Sequence, residues 1–371
     1  MMTKSPQKFR RYRTTGALIA SLSLVAAACG SGSETSAPDT SQPTATTAAP
    51  TSPDTTLPAV PRPTLVASTT IWADVISRVT CTNLADVITI IPAGADSHTF
   101  EPSLKDRETM SAADLIVMNG LFLEEGLLST FEAVAADGVP LFAMTDAVSN
   151  LLEAPDDHDD HDHHDDHDHH DDHDHHDDHD DHDDHKEDED GHRHDTDPHI
   201  WFDPARVKES LPALTAAILA ATDLNVDEVQ ACAEAYANEL DVIDSEMKNL
   251  FATIPTELKK LVTNHDTLGY LADRYGFEVI GTVLGGTSSL AETNPAALEE
   301  LAQLIIAAGL PAIFTEAETS SRDIEALASR VGNLEVISLL TESLDAPGTP
   351  GDTYIGLLRT TAEAITAGLG N

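Results

Sequence analysis

The sequence predicts an α/β protein of two lobes, each a mainly parallel sheet flanked by helices, with one long helix joining them. Three observations carry that prediction. Short apolar runs alternate with stretches of helical periodicity along most of the chain, the mark of repeated β-α units whose strands lie parallel under covering helices. The alternation falls into two blocks. Between the blocks, Val226 to Phe251 keeps helical character with few breakers, which reads as a spine.

The elements follow in order. The apolar, β-branched run Thr64 to Ile71 reads as a strand, and Ala73 to Val79 as the helix after it. Val87 to Ile91 reads as a strand and Leu104 to Ala113 as a helix. Leu115 to Met118 is apolar throughout, as a strand covered on both faces should be. A helix around Leu127 to Ala136 and a strand at Pro140 to Met144 complete the first block. Ala205 to Thr222 is helical in period, and the spine follows. The second block reads Lys260 to Thr263 (strand), Leu268 to Tyr275 (helix), Glu278 to Val283 (strand), Pro295 to Ala308 (helix), Ala312 to Thr315 (strand), Arg322 to Val331 (helix), Glu335 to Leu339 (strand) and Tyr354 to Ala367 (helix). The expected division is a first lobe over residues 64–225, a linking helix over 226–253 and a second lobe over 254–371.

The N-terminus reads as an export signal over residues 1–28. Lys4, Lys8, Arg10, Arg11 and Arg13 form a basic region ahead of an apolar run of 12 residues, Ala17 to Ala28, too short to span a bilayer. It ends in Ala26-Ala27-Ala28-Cys29-Gly30, small residues before a cysteine, so Cys29 is the candidate lipidation site. Ordinary cleavage after the alanines is the alternative. Residues 29–63 are mostly Ser, Thr, Pro, Ala and Gly, too poor in large apolar side chains to offset the entropy of ordering, and read as a disordered tether.

The formal net charge is -45, and residues 156–197 alone hold 23 Asp/Glu against two basic residues. Nucleic acid is an improbable partner for such a chain, since its recognition needs a basic footprint; divalent cations are natural ones. Fifteen of the 18 histidines lie in that acidic stretch: His158, His161, His163, His164, His167, His169, His170, His173, His175, His176, His179, His182, His185, His192 and His194. Its carboxylates repel one another and nothing in it forms a core, so residues 155–197 read as a disordered insertion in the first lobe. The insertion offers many weak ligands; its bland reading is a solvated charge run. The two cysteines beyond Cys29, Cys81 and Cys232, pair as a disulfide in an exported protein, or remain two buried thiols.

The three remaining histidines stand alone, each in a short motif. His98 follows the strand Val87 to Ile91, in Gly94-Ala95-Asp96-Ser97-His98-Thr99-Phe100-Glu101-Pro102. His199 lies in Asp197-Pro198-His199-Ile200-Trp201-Phe202-Asp203-Pro204. His265 follows the strand ending at Thr263. Ligands of open α/β sheets bind outside the carboxyl ends of the strands, so two strand-end histidines in different lobes predict a site at the lobe interface. Glu342, beyond the strand Glu335 to Leu339, is the candidate fourth ligand, with Asp345 its nearest competitor. Three imidazoles and one carboxylate suit zinc; manganese prefers a larger share of oxygen. Asp203 and Glu101 are candidates to orient an imidazole or, equally, to cap a helix. Trp72, Trp201 and Phe202 read as packing.

On these motifs the chain resembles the zinc-type, ZnuA-like substrate-binding lipoproteins of bacterial ABC importers, within the metal-binding cluster A-I family. The family pattern G-x-D-P-H-x-[YF]-E-P is met with Ser97 in place of proline. D-P-H-x-W-x-D-P is met from Asp197 to Pro204. The histidine ahead of F/L-G-Y is His265, ahead of Leu268-Gly269-Tyr270. The fourth position, usually Asp, aligns with Glu342. Manganese-binding relatives carry Glu at the third position, so His265 points to zinc, and zinc members often carry a His/Asp-rich loop where this chain has its acidic insertion. The resemblance covers residues 64–371. It implies two lobes joined by a rigid helix, Zn2+ held between them as cargo rather than as a catalytic cofactor, and delivery to a permease with its ATPase from a monomer that is extracytoplasmic and lipid-anchored to the membrane. Other readings are a Mn2+-binding homologue, a metal buffer or adhesin, and a three-histidine metallohydrolase with Glu342 as general base; the chain has no H-E-x-x-H helix.

Overall fold

A computed structural model describes residues 61–154, 196–291 and 293–370. Cys29, the export segment, residues 29–60 of the expected tether and residues 155–195 of the expected insertion lie outside the described residues; the expected insertion is two residues too long, since Thr196 bridges Glu153 and Asp197 is buried. Among the described residues no helix is long and apolar enough to cross a membrane.

The first lobe is built on a parallel sheet of four strands, β1 (Thr64–Ala67), β2 (Asp86–Thr89), β3 (Leu115–Met118) and β4 (Leu141–Ala143), in the order β2-β1-β3-β4. Its helices are α1 (Thr70–Val79), α2 (Leu104–Ser111), α3 (Leu128–Ala136) and α4 (Pro204–Ala221). Both faces of the central strands are covered. Leu65, Ala67, Leu115 and Val117 face one apolar cluster with α1 and α4, while Val66, Ile116 and Met118 face another with Met110 of α2 and Phe131 of α3. That two-sided burial is why β1 and β3 read as continuous apolar runs rather than as an alternation.

The expected strand Thr64 to Ile71 is too long. It stops at Ala67 because Thr69 is the N-cap of α1, its hydroxyl accepting from the Trp72 N–H at 3.4 Å. The β-branched Thr70 and Ile71, which resemble strand residues, are the first turn of a helix.

α5 (Val226–Phe251) is the predicted spine, with the predicted bounds. Asn225 caps it by accepting from the Glu228 N–H at 3.0 Å, and Asp227, Glu228 and Lys248 complement the helix dipole at the proper ends. Val229, Tyr236, Leu240, Ile243, Met247 and Phe251 form its buried stripe. Each such side chain contributes roughly 1.5–3 kcal/mol on burial. The stripe packs against α4, α1 and α9 (Tyr354–Leu369), so α5 touches elements of both lobes. Cys81, just beyond α1, is disulfide-bonded to Cys232 of α5 across a Cα–Cα distance of 5.5 Å.

The second lobe repeats the parallel arrangement. β5 (Lys260–Thr263) pairs with β6 (Glu278–Thr282), and β7 (Ala312–Glu316) with β8 (Glu335–Leu339). These are two separate two-stranded sheets among the described residues, with β5 lying beside β7, so that the strands run spatially as β6, β5, β7, β8. α6 (Gly269–Tyr275), α7 (Pro295–Ala308) and α8 (Arg322–Val331) complete it. The larger apolar cluster runs without a break from Leu65 of β1 through Phe251 of α5 to Leu369 of α9. A core shared in this way makes the lobes one packed body rather than two beads on a hinge.

Candidate metal centre

The strand order turns round between β1 and β3 in the first lobe, and the two small sheets of the second lobe meet with β5 beside β7; at such places the carboxyl ends of strands leave room for a ligand. The four sequence-predicted residues converge there. His98, His199, His265 and Glu342 each present one donor atom, and the four atoms lie within 4.8 Å of one another. The imidazole centroids are 5.3–5.6 Å apart. The exposures are 3% for His98, 2% for Glu342 and 0% for His199 and His265.

Each residue is held from behind. His98 sits in the loop between β2 and α2, where Asp96 accepts from its backbone N–H at 2.9 Å and fixes the turn. His199 opens the 3-10 turn Ile200–Phe202 ahead of α4. Asp197 accepts from the His199 backbone N–H at 2.9 Å, and its Oδ1 lies 2.8 Å from His199 Nδ1. Glu316, the last residue of β7, does the same for His265: Oε1 accepts from the backbone N–H at 3.1 Å and Oε2 lies 2.8 Å from Nδ1. Asp197 in this way sets the His199 ring and keeps a proton on Nδ1, so that its Nε2 is directed into the cluster; Glu316 holds His265 through the backbone bond and a charge contact at Nδ1. Glu342 comes from the segment after β8, and its Oε1 is 3.4 Å from His265 Nε2 and 3.8 Å from His98 Nε2.

The Nε2 atoms of all three histidines, Oε1 of Glu342, and also Nδ1 of His98 and His265 are buried with no hydrogen-bond partner among the described residues. A buried polar atom without a partner costs about 1–3 kcal/mol, and four facing one another would be a large uncompensated penalty. A divalent cation satisfies all four at once, and the donor set of three nitrogens and one oxygen fits one. The protonation pattern is mixed: His199 is neutral, whereas a cation binding His265 must displace its second ring proton. Burial, and then the neighbouring His265 and His98, hold His199 well below its usual range, leaving it neutral. Burial also lowers His265, but Glu316 and Glu342 outweigh it and raise the group to about 10. Glu342 is raised by burial yet held below the carboxylate range by the His265 contact, His98 and Ser97. Burial pushes Asp197 up to about 7.

The alternatives left open by the sequence are decided as follows. Asp345 is exposed, its carboxylate accepting from the Ala346 N–H at 2.7 Å. Asp203 contacts no histidine; it caps α4 through the Ala205 N–H at 2.8 Å and pairs with Arg206 and Arg274. Glu101 is exposed. The orienting carboxylates are Asp197 and Glu316. Asp197 had a local signal, two residues ahead of a histidine across a proline, the spacing at which a side chain reaches back to the backbone. Glu316 had none beyond its place at a strand end. Trp72 and Trp201 pack edge to face at 6.4 Å, and Trp201 Nε1 donates to the Thr341 carbonyl at 2.8 Å, tying the His199 turn to the Glu342 segment. Gly269, at the start of α6, is needed for close approach: a Cβ there would come within 2.6 Å of Asp197 Oδ2.

The chain is similar to known proteins over most of its length. Residues 65–368 match the family model described as ZnuA, zinc-uptake complex component A periplasmic. The zinc-binding protein TroA of Treponema pallidum is 28% identical over 282 residues, 74% of this chain and 79% of that protein. The manganese-binding lipoprotein MntA of Halalkalibacterium halodurans is 23% identical over 306 residues, 82% of this chain and 88% of that protein. The solved structure of periplasmic zinc-binding TroA superposes with a TM-score of 0.69 at 25% identity, covering 84% of this chain and all of that one. The match spans most of the chain and both lobes around the centre, and the chain therefore belongs to the ZnuA family of periplasmic metal-binding proteins, substrate-binding components of ABC metal importers and not enzymes.

Proposed function

We propose that the protein captures extracytoplasmic Zn2+ and delivers it to an ABC permease, with His98, His199, His265 and Glu342 as the four ligands. The observation that carries the reading is the donor set: three imidazole nitrogens and one carboxylate oxygen, buried and within 4.8 Å of one another. Zinc accepts nitrogen and oxygen in four-coordinate sites, whereas manganese is better served by more oxygens. The name of TroA, a zinc-binding protein, supports zinc; MntA and PsaA, named for manganese, make Mn2+ the competing cargo.

The remaining assignments belong to the same reading. Residues 64–225 and 254–371 are the lobes and 226–253 the linking helix. Cys29 carries the lipid and residues 29–63 are the tether, which raises the concentration of captured metal beside the permease. The histidines from His158 to His194 bind further cations weakly, and the protein acts as a monomer. Metal analysis of the purified protein, followed by chelator competition with Zn2+ and Mn2+, tests the proposal. One tight site that prefers zinc and is lost in His265→Ala is expected. A tight site preferring manganese, or one indifferent to that substitution, would overturn it.

A further inference from the structure

The two carboxylate oxygens of Glu342 are in different situations. Oε1 faces the imidazoles. Oε2 is turned toward the first lobe, where it accepts from the Ser97 N–H at 2.7 Å and from the Ser97 hydroxyl. Ser97 is 1% exposed and Glu342 2%, so solvent does not compete for these bonds.

The backbone that carries Glu342 is fixed by other groups. Glu318 accepts from the N–H groups of Thr341 and Glu342, each at 3.3 Å, and from the Ser343 hydroxyl at 2.9 Å. The Ser343 hydroxyl in turn accepts from the Gly94 N–H of the first lobe at 3.0 Å. The segment would therefore hold its place without Ser97. What Ser97 governs is the rotation of the carboxylate about its last bond.

We propose that Ser97 is a specificity-determining residue: by engaging Glu342 Oε2 with two donors, it limits Glu342 to one ligand oxygen and closes the centre at three nitrogens and one oxygen. The inference rests on the ligand assignment proposed above. A free glutamate can offer both oxygens to one cation, which would raise the coordination number and the oxygen share together. Both changes favour manganese over zinc. Aspartate, one methylene shorter, has less freedom to swing a second oxygen inward. A glutamate in this position needs a restraint, and Ser97 supplies it from the opposite lobe. Ser97 and Glu342 are also the two positions at which the ligand motifs depart from the pattern the sequence otherwise follows.

The test uses the full chain with Ser97→Ala, which removes the hydroxyl; Ser97→Pro, which removes the N–H as well; and Ser97→Thr, which keeps both donors. Co2+ at one equivalent reports coordination number, because four-coordinate Co2+ absorbs visible light far more strongly than five- or six-coordinate Co2+. Chelator competition gives the Zn2+ to Mn2+ affinity ratio. The natural protein and Ser97→Thr should show the intense spectrum. Ser97→Ala and Ser97→Pro should lose intensity, and their preference for zinc should fall by roughly tenfold or more, the worth of a buried hydrogen bond to a charged group. An unchanged spectrum and ratio in both would overturn the proposal. If Ser97→Pro does not fold, Ser97→Ala decides alone, since the hydroxyl is one of the two donors. Failure of the ligand assignment would look different: the Co2+ spectrum of the natural protein would then persist in His265→Ala.

Discussion

Glu316→Gln isolates what a carboxylate behind an imidazole contributes to metal capture. Glu316 is 2% exposed and makes two contacts with one residue, accepting from the His265 N–H at 3.1 Å and lying 2.8 Å from His265 Nδ1. Glutamine fills the same volume, so no cavity opens. Its amide oxygen can replace one acceptor but not both, and the negative charge that strengthens the imidazole as a donor is gone. Removing such a partner costs about 10–100-fold in metal affinity, or roughly 1.4–2.7 kcal/mol. Glutamine should fall near the tenfold end. Alanine, which also orphans the His265 N–H and leaves a void, should fall near the hundredfold end. Chelator competition with Zn2+ at one fixed pH measures both, with thermal unfolding of the metal-free proteins as the check on folding. If both variants bind zinc within about twofold of the natural protein, the orienting role assigned to Glu316 is wrong.

Three further outcomes are expected. Deleting residues 156–195 should reduce the number of zinc ions bound but leave the tightest Kd nearly unchanged, because flexible ligands must be ordered at entropic cost before they chelate; equilibrium dialysis before and after deletion decides it. Cys232→Ser should destabilise the fold by about 2–4 kcal/mol, the usual worth of a disulfide closing a long loop, without altering zinc affinity; denaturant unfolding measures it. Asp244→Ala should cost about 1–3 kcal/mol at neutral pH, since Asp244 of α5 accepts from Arg274 Nε at 2.6 Å and the Tyr275 hydroxyl at 3.0 Å, clamping the spine to α6. Burial alone would raise Asp244, but the Arg274 and Lys248 bonds prevail and hold it below its usual 3.8. Its contribution is therefore complete above that value and disappears as pH falls through the lowered one. The gap between the natural protein and the variant should narrow in acid unfolding curves; a gap constant with pH would refute the assignment.

Much of the fold was legible because its elements announce themselves locally. Val226–Phe251 and Pro295–Ala308 are capped by Asn225 and Asn294, Arg322–Val331 carries a clear apolar stripe, and the bounds of all three could be read directly. Leu115–Met118 could be read because nothing polar interrupts it. Thr64 to Ile71 misled for the opposite reason. Ser68, Thr69 and Thr70 suit a strand by propensity, and only the tertiary position of Thr69, with its hydroxyl turned to the Trp72 N–H, makes them the entry to a helix. The shared core from Leu65 to Leu369 left no trace in the sequence, because periodicity reports that a face is buried and not what it is buried against.

The candidate centre divides along the same line. Its donors were legible because imidazole is scarce in the described part of this chain, and each of the three isolated histidines stood in a motif of its own. The groups that aim those donors were less so. Asp197 acts over two residues and is visible in its own motif, whereas Glu316 reaches His265 from 51 residues away and Ser97 reaches Glu342 from 245. Those long separations arise because strand ends far apart in sequence meet where the strand order turns round. On the proposed assignment the distant contacts also carry the discrimination. Imidazole nitrogens alone would accept several first-row metals with affinities set mainly by the metal. On the proposed ligand assignment, the carboxylates behind two of the rings and the serine that engages one oxygen of Glu342 set how many donors a cation meets and from what directions. On that proposal selectivity rests on the registry between Ser97 and Glu342, residues of different lobes that share one unbroken apolar core.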